Sequence, residues 1–406
     1  MSWTVTEAVI LTTPDSALRV AGLSVLQRMV FALERAGVRA IALVADDGAE
    51  PSAMPATRRP ETRLRRCAPD DLAPATGGDI LVFRRAVVLD VAAAEALVGL
   101  GSAAHPVQAI DAVDRTGVPV ATGALLVAAE AAADLPRLII DGAGAAPRRA
   151  LAAGVCHPLA PGAGAREGRA AETALLASLR RKSDGFFAYW FDRRISTALS
   201  RHLVRTGVTP NQITVATLVP ALLGAVLLAL PGTVSSGIGA LLYWLSTVLD
   251  GCDGEVARLK YRESPSGARL DLLCDNVGLV ALFLGIVVHV YREVPGLALV
   301  YAGAAIVGGM LAAMILEYRL ITRPRIRQSL AERALTPAER RRRQIYERLA
   351  SRDFAYLLPI LAFTGTLSWF VWATALGVNL FWLALLVLVV RKPARAALPD
   401  VSPDRP

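Results

Sequence analysis

LDGCDGEVARLKYRESPSGARLDLLCDNVG, residues 249–278, sets four aspartates, Asp250, Asp253, Asp271 and Asp275, directly after an apolar run long enough to enter a membrane. Carboxylates are costly in hydrocarbon, so their presence there needs a chemical reason. Asp250 and Asp253 are three residues apart, and Gly254 and Ala257 continue the same helical face. Asp271 and Asp275 are four apart on a second face, with Gly267 four residues before Asp271. Two consecutive helices joined by a short loop run antiparallel, so the four carboxylates can converge near one end of the bilayer. Along their helix axis Asp271 and Asp275 are ~6 Å apart. Left alone, four such groups repel one another and pay heavily for desolvation; bound cations remove both penalties. Oxygen-only ligation points to Mg²⁺, Mn²⁺ or Ca²⁺ rather than zinc. A pair of ions roughly 4 Å apart is the arrangement that clamps the attacking and leaving oxygens of a phosphoryl displacement. Gly254, Ala257 and Gly267 leave space for a ligand against the helix backbone, and Arg258 can pair with phosphate. A salt-bridge cluster with Arg258, Lys260 and Arg269 would account for a single buried Asp. Four, with small residues at matching turns, favour ions.

Outward from this stretch, apolar segments at about 212–230, 236–256, 268–291, 296–318, 345–366 and 371–390 read as six spans of a bilayer ~30 Å thick. Loop charge tests the topology. Residues 319–352 hold eleven Arg and three Glu, and 257–269 hold Arg258, Lys260, Arg262 and Arg269. The alternate loops PGTVSSG (231–237) and REVPG (292–296) contain a single Arg. Positive charge on one side predicts a multi-pass cell-membrane protein with both termini cytoplasmic. Ahead of the first span, residues 170–207 mix apolar and cationic residues at helical spacing. Phe186, Phe187, Tyr189, Trp190 and Phe191 cluster there, as expected of an amphipathic helix in the headgroup layer.

The first 170 residues have a different texture. AVILTT (8–13), AIALVA (40–45), DILVFRRAVVLD (79–90) and VPVATGALLVAA (118–129) read as strands. SVLQRMVFALERAG (24–37), which ends in a Gly stop, and VAAAEALVGL (91–100) read as helices. Alternation of this kind predicts an α/β layered domain. Of the 406 residues 54% are hydrophobic, and the formal net charge is +9. No basic face interleaved with aromatics is present to recommend nucleic acid as a partner, so the charge belongs to topology and to anionic lipid or phosphorylated substrates. Cys67, Cys156, Cys252 and Cys274 have no metal-ligand spacing. The start, MSWTVTEAVILTT, lacks the pattern of a cleaved signal peptide.

The motif D-x₂-D-G-x₂-A-R-x₈-G-x₃-D-x₃-D, filled here by Asp250, Asp253, Gly254, Ala257, Arg258, Gly267, Asp271 and Asp275, resembles the signature of the CDP-alcohol phosphotransferase family. TPNQIT (209–214) is similar to the segment that opens that family's first span. The resemblance covers roughly residues 183–392. It implies transfer of a phosphoalcohol group from a CDP-alcohol donor, a hydroxyl acceptor such as a phosphorylated polyol, release of CMP, two Mg²⁺ or Mn²⁺ ions and a homodimer, in phospholipid or inositol-phosphodiester synthesis. Asp250, Asp253 and Asp271 would be the main metal ligands. Asp275 would hold a metal and act as general base, while Gly254, Ala257, Arg258 and Gly267 would line the cytidine diphosphate site.

Residues 18–45 resemble the start of nucleotidyltransferase domains. Together with residues 184–214 they are similar to bifunctional inositol-phosphate cytidylyltransferase and di-myo-inositol phosphate phosphate synthase proteins. The expected architecture is a Rossmann-like α/β domain (1–170), an amphipathic linker helix (171–210), a six-helix transmembrane domain (211–392) and a tail (393–406). The α/β domain departs from a working nucleotidyltransferase: TPDSALRVAG after AVILTT has no Gly-rich loop for a triphosphate, and FRRAVVLD puts Arg84 and Arg85 where acidic metal ligands are needed. Asp90 fits a helix N-cap better than a ligand. A degenerate domain with structural, regulatory or docking use is expected. The alternatives are a bifunctional enzyme with both halves active and a divalent-cation transporter. Arg319, Arg323, Arg325, Arg327 and Arg352 are candidates for gripping a phosphorylated acceptor, Arg352 first among them. His289 reads as structural.

Overall fold

The computed structural model describes residues 5–45, 54–75, 77–100, 105–113, 119–151, 154–179, 192–317 and 354–390. Two compact units divide the chain: one comprises Met1–Arg181, Arg201–Gly207 and Val256–Arg262, the other Lys182–Ser200, Val208–Glu255 and Glu263–Pro406.

The first unit is built on a seven-stranded sheet in the order β10-β8-β9-β6-β1-β4-β5. Its strands are β1 (Val5–Thr12), β4 (Ala40–Ala45), β5 (Arg63–Cys67), β6 (Asp79–Phe83), β8 (Val107–Val113), β9 (Pro119–Val127) and β10 (Arg148–Leu151). β1 pairs in parallel with β4 and β6, and β4 with β5; β9 runs antiparallel to both β6 and β8. Side-chain alternation explains why the central strands are apolar at nearly every position. Ile41, Leu43, Leu81 and Phe83 enter one buried core, while Ala42, Val44, Ile80 and Val82 enter another. A sheet covered on both faces has no polar side to show.

Helix α1 (Val25–Ala36) covers one face. It starts where Ser24 accepts the Gln27 N–H at 3.1 Å, and it stops at Gly37 in the left-handed region, φ 102°. Between β1 and α1 there is a short 3-10 turn, Pro14–Ala17, then a hairpin of β2 (Arg19–Val20) and β3 (Leu23–Ser24). No Gly-rich loop occurs there. Past β6, Arg84 donates from Nε to the Ile139 carbonyl at 3.1 Å, where α3 (Leu135–Ile140) ends. β7 (Val87–Leu89) pairs with β11 (Cys156–Pro158), and Asp90 caps α2 (Val91–Val98) by accepting the Ala93 N–H at 2.8 Å. The core that holds Ile41 and Phe83 also takes Ala171, Leu175 and Leu176 of α4 (Ala165–Ser178).

The remaining helices are α5 (Arg193–Leu203), α6 (Pro210–Ala229), α7 (Thr233–Leu259), α8 (Pro265–Glu293), α9 (Leu297–Glu317), α10 (Phe354–Phe363) and α11 (Leu367–Val390). Within 171–210 the described residues comprise the end of α4 and the whole of α5; residues 180–191 lie outside them. In α6, Thr209 and Gln212 make a reciprocal capping box with Pro210 at the first position. Small residues let helices meet backbone to backbone: a Cβ on Gly224 of α6 would lie 2.6 Å from the Gly239 carbonyl oxygen of α7.

Among the described residues, four helical stretches, Pro210–Ala229, Pro265–Glu293, Leu297–Leu316 and Leu367–Ala384, are long and apolar enough to cross a membrane. The expected count of six is therefore not exact. α7 has 27 residues, but Thr233, Ser235, Ser236, Ser246, Thr247 and Asp250 dilute its apolar character. α10 is described over 10 residues only, too few alone to span. The aromatic cluster at 186–191, the Arg-rich loop holding Arg319, Arg323, Arg325, Arg327 and Arg352, and the tail lie outside the described residues.

Candidate metal centre

The second unit brings Asp250, near the end of α7, together with Asp271 and Asp275, one turn apart on α8. One carboxylate oxygen from each lies within 4.8 Å of the others, and all three side chains are half-buried. At that spacing two like charges repel by up to about 3 kcal/mol at an effective dielectric near 20. Three acidic groups and no nitrogen or sulfur in the set form an oxygen-only donor arrangement, which fits a hard divalent cation.

Asp253 is placed differently. It is buried, accepting a hydrogen bond from the Thr214 hydroxyl of α6 and another from the Gly254 N–H. Its carboxylate is not one of the three that converge. Thr214 ends the TPNQIT segment, so that segment reaches the acidic helix through a side chain that the reading of the sequence left without a role. Gly267 lies in the first turn of α8, where Ser264 caps the helix by accepting the Gly267 N–H at 3.0 Å. A Cβ on Gly267 would stand 3.1 Å from Asn211 Oδ1, again in TPNQIT. Gly254, Ala257 and Arg258 follow along α7, the latter two inside the segment Val256–Arg262 that belongs to the first unit.

Thr217, Tyr243, Ser246, Thr247 and Cys274 line a cleft with Asp250 and Asp275. The hydroxyls of Ser246 and Thr247 each donate to a carbonyl of their own helix at 2.7 Å, which is how such groups are tolerated among apolar helices. Behind α7, Glu255 is fully buried and accepts from Arg193 Nη1 at 3.0 Å and from the Ser196 hydroxyl at 2.8 Å, both on α5. This clamp had no sequence signal, because its two sides are about sixty positions apart. His289, buried in α8, bonds through Nδ1 with the Leu230 carbonyl at 3.0 Å, a structural role.

An α/β sheet unit joined to apolar helices that gather three carboxylates defines a multi-pass membrane protein with an acidic centre on neighbouring helices. Residues 207–390 match the CDP-alcohol phosphatidyltransferase family, so the C-terminal half carries a domain of that family. Among relatives, a bifunctional IPC transferase and DIPP synthase of Archaeoglobus fulgidus is 36% identical over 131 residues, 32% of this chain and 26% of that protein. Its counterpart in Thermococcus kodakarensis is 42% identical over 108 residues, 27% of this chain and 24% of that protein. The phosphatidylinositol phosphate synthase of Mycobacterium bovis is 33% identical over 93 residues, 23% of this chain and 42% of that protein. The matched segments thus span 26% and 24% of the two bifunctional relatives.

Proposed function

We propose that the chain is a CDP-alcohol phosphotransferase: it moves a phosphoalcohol group from a CDP-alcohol to an acceptor hydroxyl and releases CMP. The observation that carries this reading is the convergence of Asp250, Asp271 and Asp275 within a stretch matching the family. These three would hold two divalent cations, Mg²⁺ or Mn²⁺, with Asp253 drawn in beside them. Bound, the cations supply positive charge to the donor's pyrophosphate. Gly254, Ala257, Arg258 and Gly267 line the cytidine diphosphate site, the small residues by leaving room and Arg258 by pairing with phosphate.

Asp275 is the general base. It takes the proton of the acceptor hydroxyl as the acceptor oxygen bonds to the β-phosphorus; the bond from that phosphorus to the bridging oxygen breaks, and CMP leaves with the electron pair. The relatives' names favour a phosphorylated polyol of the inositol phosphate class as acceptor. The charge of the loops favours cytoplasmic termini, with the chemistry on that side. The α/β unit is non-catalytic, a reading supported by the 3-10 turn where a triphosphate loop would be needed.

Purified full-length protein with Mg²⁺, CDP-diacylglycerol or CDP-inositol, and a panel of polyol phosphates tests the reaction. CMP release is expected, reduced roughly 10²- to 10⁴-fold or more in Asp275→Asn, the range for loss of a general base. Undiminished release in that variant, or no release from any pairing, would overturn the proposal.

A further inference from the structure

We infer that Tyr261 is a positioning residue for the donor site, and that the α/β unit is the device which holds it. The inference rests on the assignment of Ala257 and Arg258 to the cytidine diphosphate site and adds what fixes them.

The end of α7 is unusual. The Tyr261 N–H donates to the Arg258 carbonyl at 3.2 Å, and the Arg262 N–H donates to the Ala257 carbonyl at 2.8 Å. This pair of bonds is the Schellman closure of a helix, and it takes as its acceptors the carbonyls of the two residues assigned to the nucleotide. The closure needs a left-handed residue just past the last helical turn, a place glycine fills at least cost. Here it is a tyrosine, with φ 54°. A bulky side chain stays in that region only when its surroundings over-determine it.

The described contacts of Tyr261 lie within the first unit, to which Val256–Arg262 belongs. Tyr261 is 4% exposed, and its hydroxyl donates to the Leu89 carbonyl at the end of β7 at 3.0 Å. Its ring centroid lies 5.6 Å from that of Phe31 on α1. The Arg28 guanidinium stands 5.5 Å from the same ring, and is itself tied to the Val20 and Ala21 carbonyls at 3.0 and 3.3 Å. Leu259 is buried in the same core, and Lys260 donates from Nζ to the Thr206 carbonyl at 2.8 Å. A glycine would relieve the backbone and forfeit every one of the Tyr261 side-chain contacts. The domain that lacks a triphosphate loop thus keeps a purpose, since its core sets the turn that presents Ala257 and Arg258.

The test compares wild type with Tyr261→Gly, Tyr261→Phe and Phe31→Leu, all full length. Two readouts are needed: amide hydrogen exchange over residues 257–262, and the affinity for CDP with Mg²⁺. Tyr261→Gly permits the left-handed turn, so faster exchange and about tenfold weaker CDP binding would come from the lost side chain. Tyr261→Phe, short of one hydrogen bond, should weaken CDP by a few-fold. Phe31→Leu, more than two hundred residues away in sequence, should do likewise. With substrate, KM for the CDP-alcohol rises and kcat stays within about twofold, the opposite of Asp275→Asn. Unchanged exchange and unchanged CDP affinity in Tyr261→Gly would overturn the inference. If Tyr261→Gly fails to fold, the Phe and Leu variants decide by the same two readouts. Wild type that binds no CDP would instead sink the donor-site assignment, while the exchange comparison still decides the anchor.

Discussion

Asp250, Asp271 and Asp275 repel one another at neutral pH, so whatever neutralises them stabilises the native state alone. A ligand bound only to the folded chain adds RT ln(1 + [L]/Kd), about 2.7 kcal/mol at a hundredfold excess over Kd. The thermal unfolding temperature in detergent should therefore rise when Mg²⁺ replaces EDTA, and the rise should vanish in Asp271→Asn. A rise of equal size in the variant would place the ion elsewhere. Asp90 makes stability depend on pH in the α/β unit. Burial holds its carboxyl above the usual value of 3.8, against the opposing bonds from Ala93 and Val155. A group raised in the folded state binds its proton more readily there, so its contribution is best below the unfolded pKa and declines as pH rises through the folded one. Asp90→Asn, which still caps α2, should be neutral to stabilising at pH 7 and flatten that decline; Asp90→Ala should cost about 1 kcal/mol at pH 7. Unfolding temperatures between pH 4 and 7 check both.

Among the elements, legibility followed burial pattern. The strands AVILTT, AIALVA and DILVF were readable because both of their faces are buried, which leaves continuous apolar runs. β5, RLRRC, was not: three of its five residues are arginine, and it sits at the sheet edge where charge is tolerated. Helical spacing grouped the aspartates within each helix, but no spacing rule could tell that Asp253 turns to Thr214 while Asp250 faces α8. The same limit hid the α5–α7 clamp. Arg193 and Glu255 pair with side-chain exposures of 17% and 0%, so removing the cation strands a buried charge. Such a loss costs about 3–5 kcal/mol where burial is complete. Arg193→Ala should be destabilised toward the lower end of that range. Glu255→Gln, which keeps a bond to Ser196 without the charge, should lose less. Thermal unfolding of the two variants ranks them, and an Arg193→Ala protein as stable as Glu255→Gln would deny the pair any energetic role.

Across the whole molecule the proposed function gives the two units unequal shares of the chemistry, and that inequality is testable. Nucleotidyl transfer from CTP needs backbone N–H groups to cradle a triphosphate and carboxylates to hold its metal. β1 leads instead into Thr13, Pro14 and a 3-10 turn, and the residues that follow it serve the fold: Asp15 accepts from the Leu18 N–H through its carbonyl, and Arg28 is spent on the hairpin carbonyls. After β6 the chain offers Arg84, committed to the Ile139 carbonyl, and then Arg85; a Cβ on Gly123 would fall 2.8 Å from the Arg85 side chain. Two guanidinium groups at that strand end repel the Mg²⁺ that CTP brings. Supplied with CTP, Mg²⁺ and inositol phosphate, the full-length protein should therefore release no pyrophosphate above a no-enzyme control, while a preformed CDP-alcohol with an acceptor yields CMP. Pyrophosphate formation that survives Asp275→Asn would assign the α/β unit a catalytic site of its own. Pyrophosphate absent and CMP present would mean that another protein, a cytidylyltransferase acting on a phosphorylated alcohol or lipid, must make the donor.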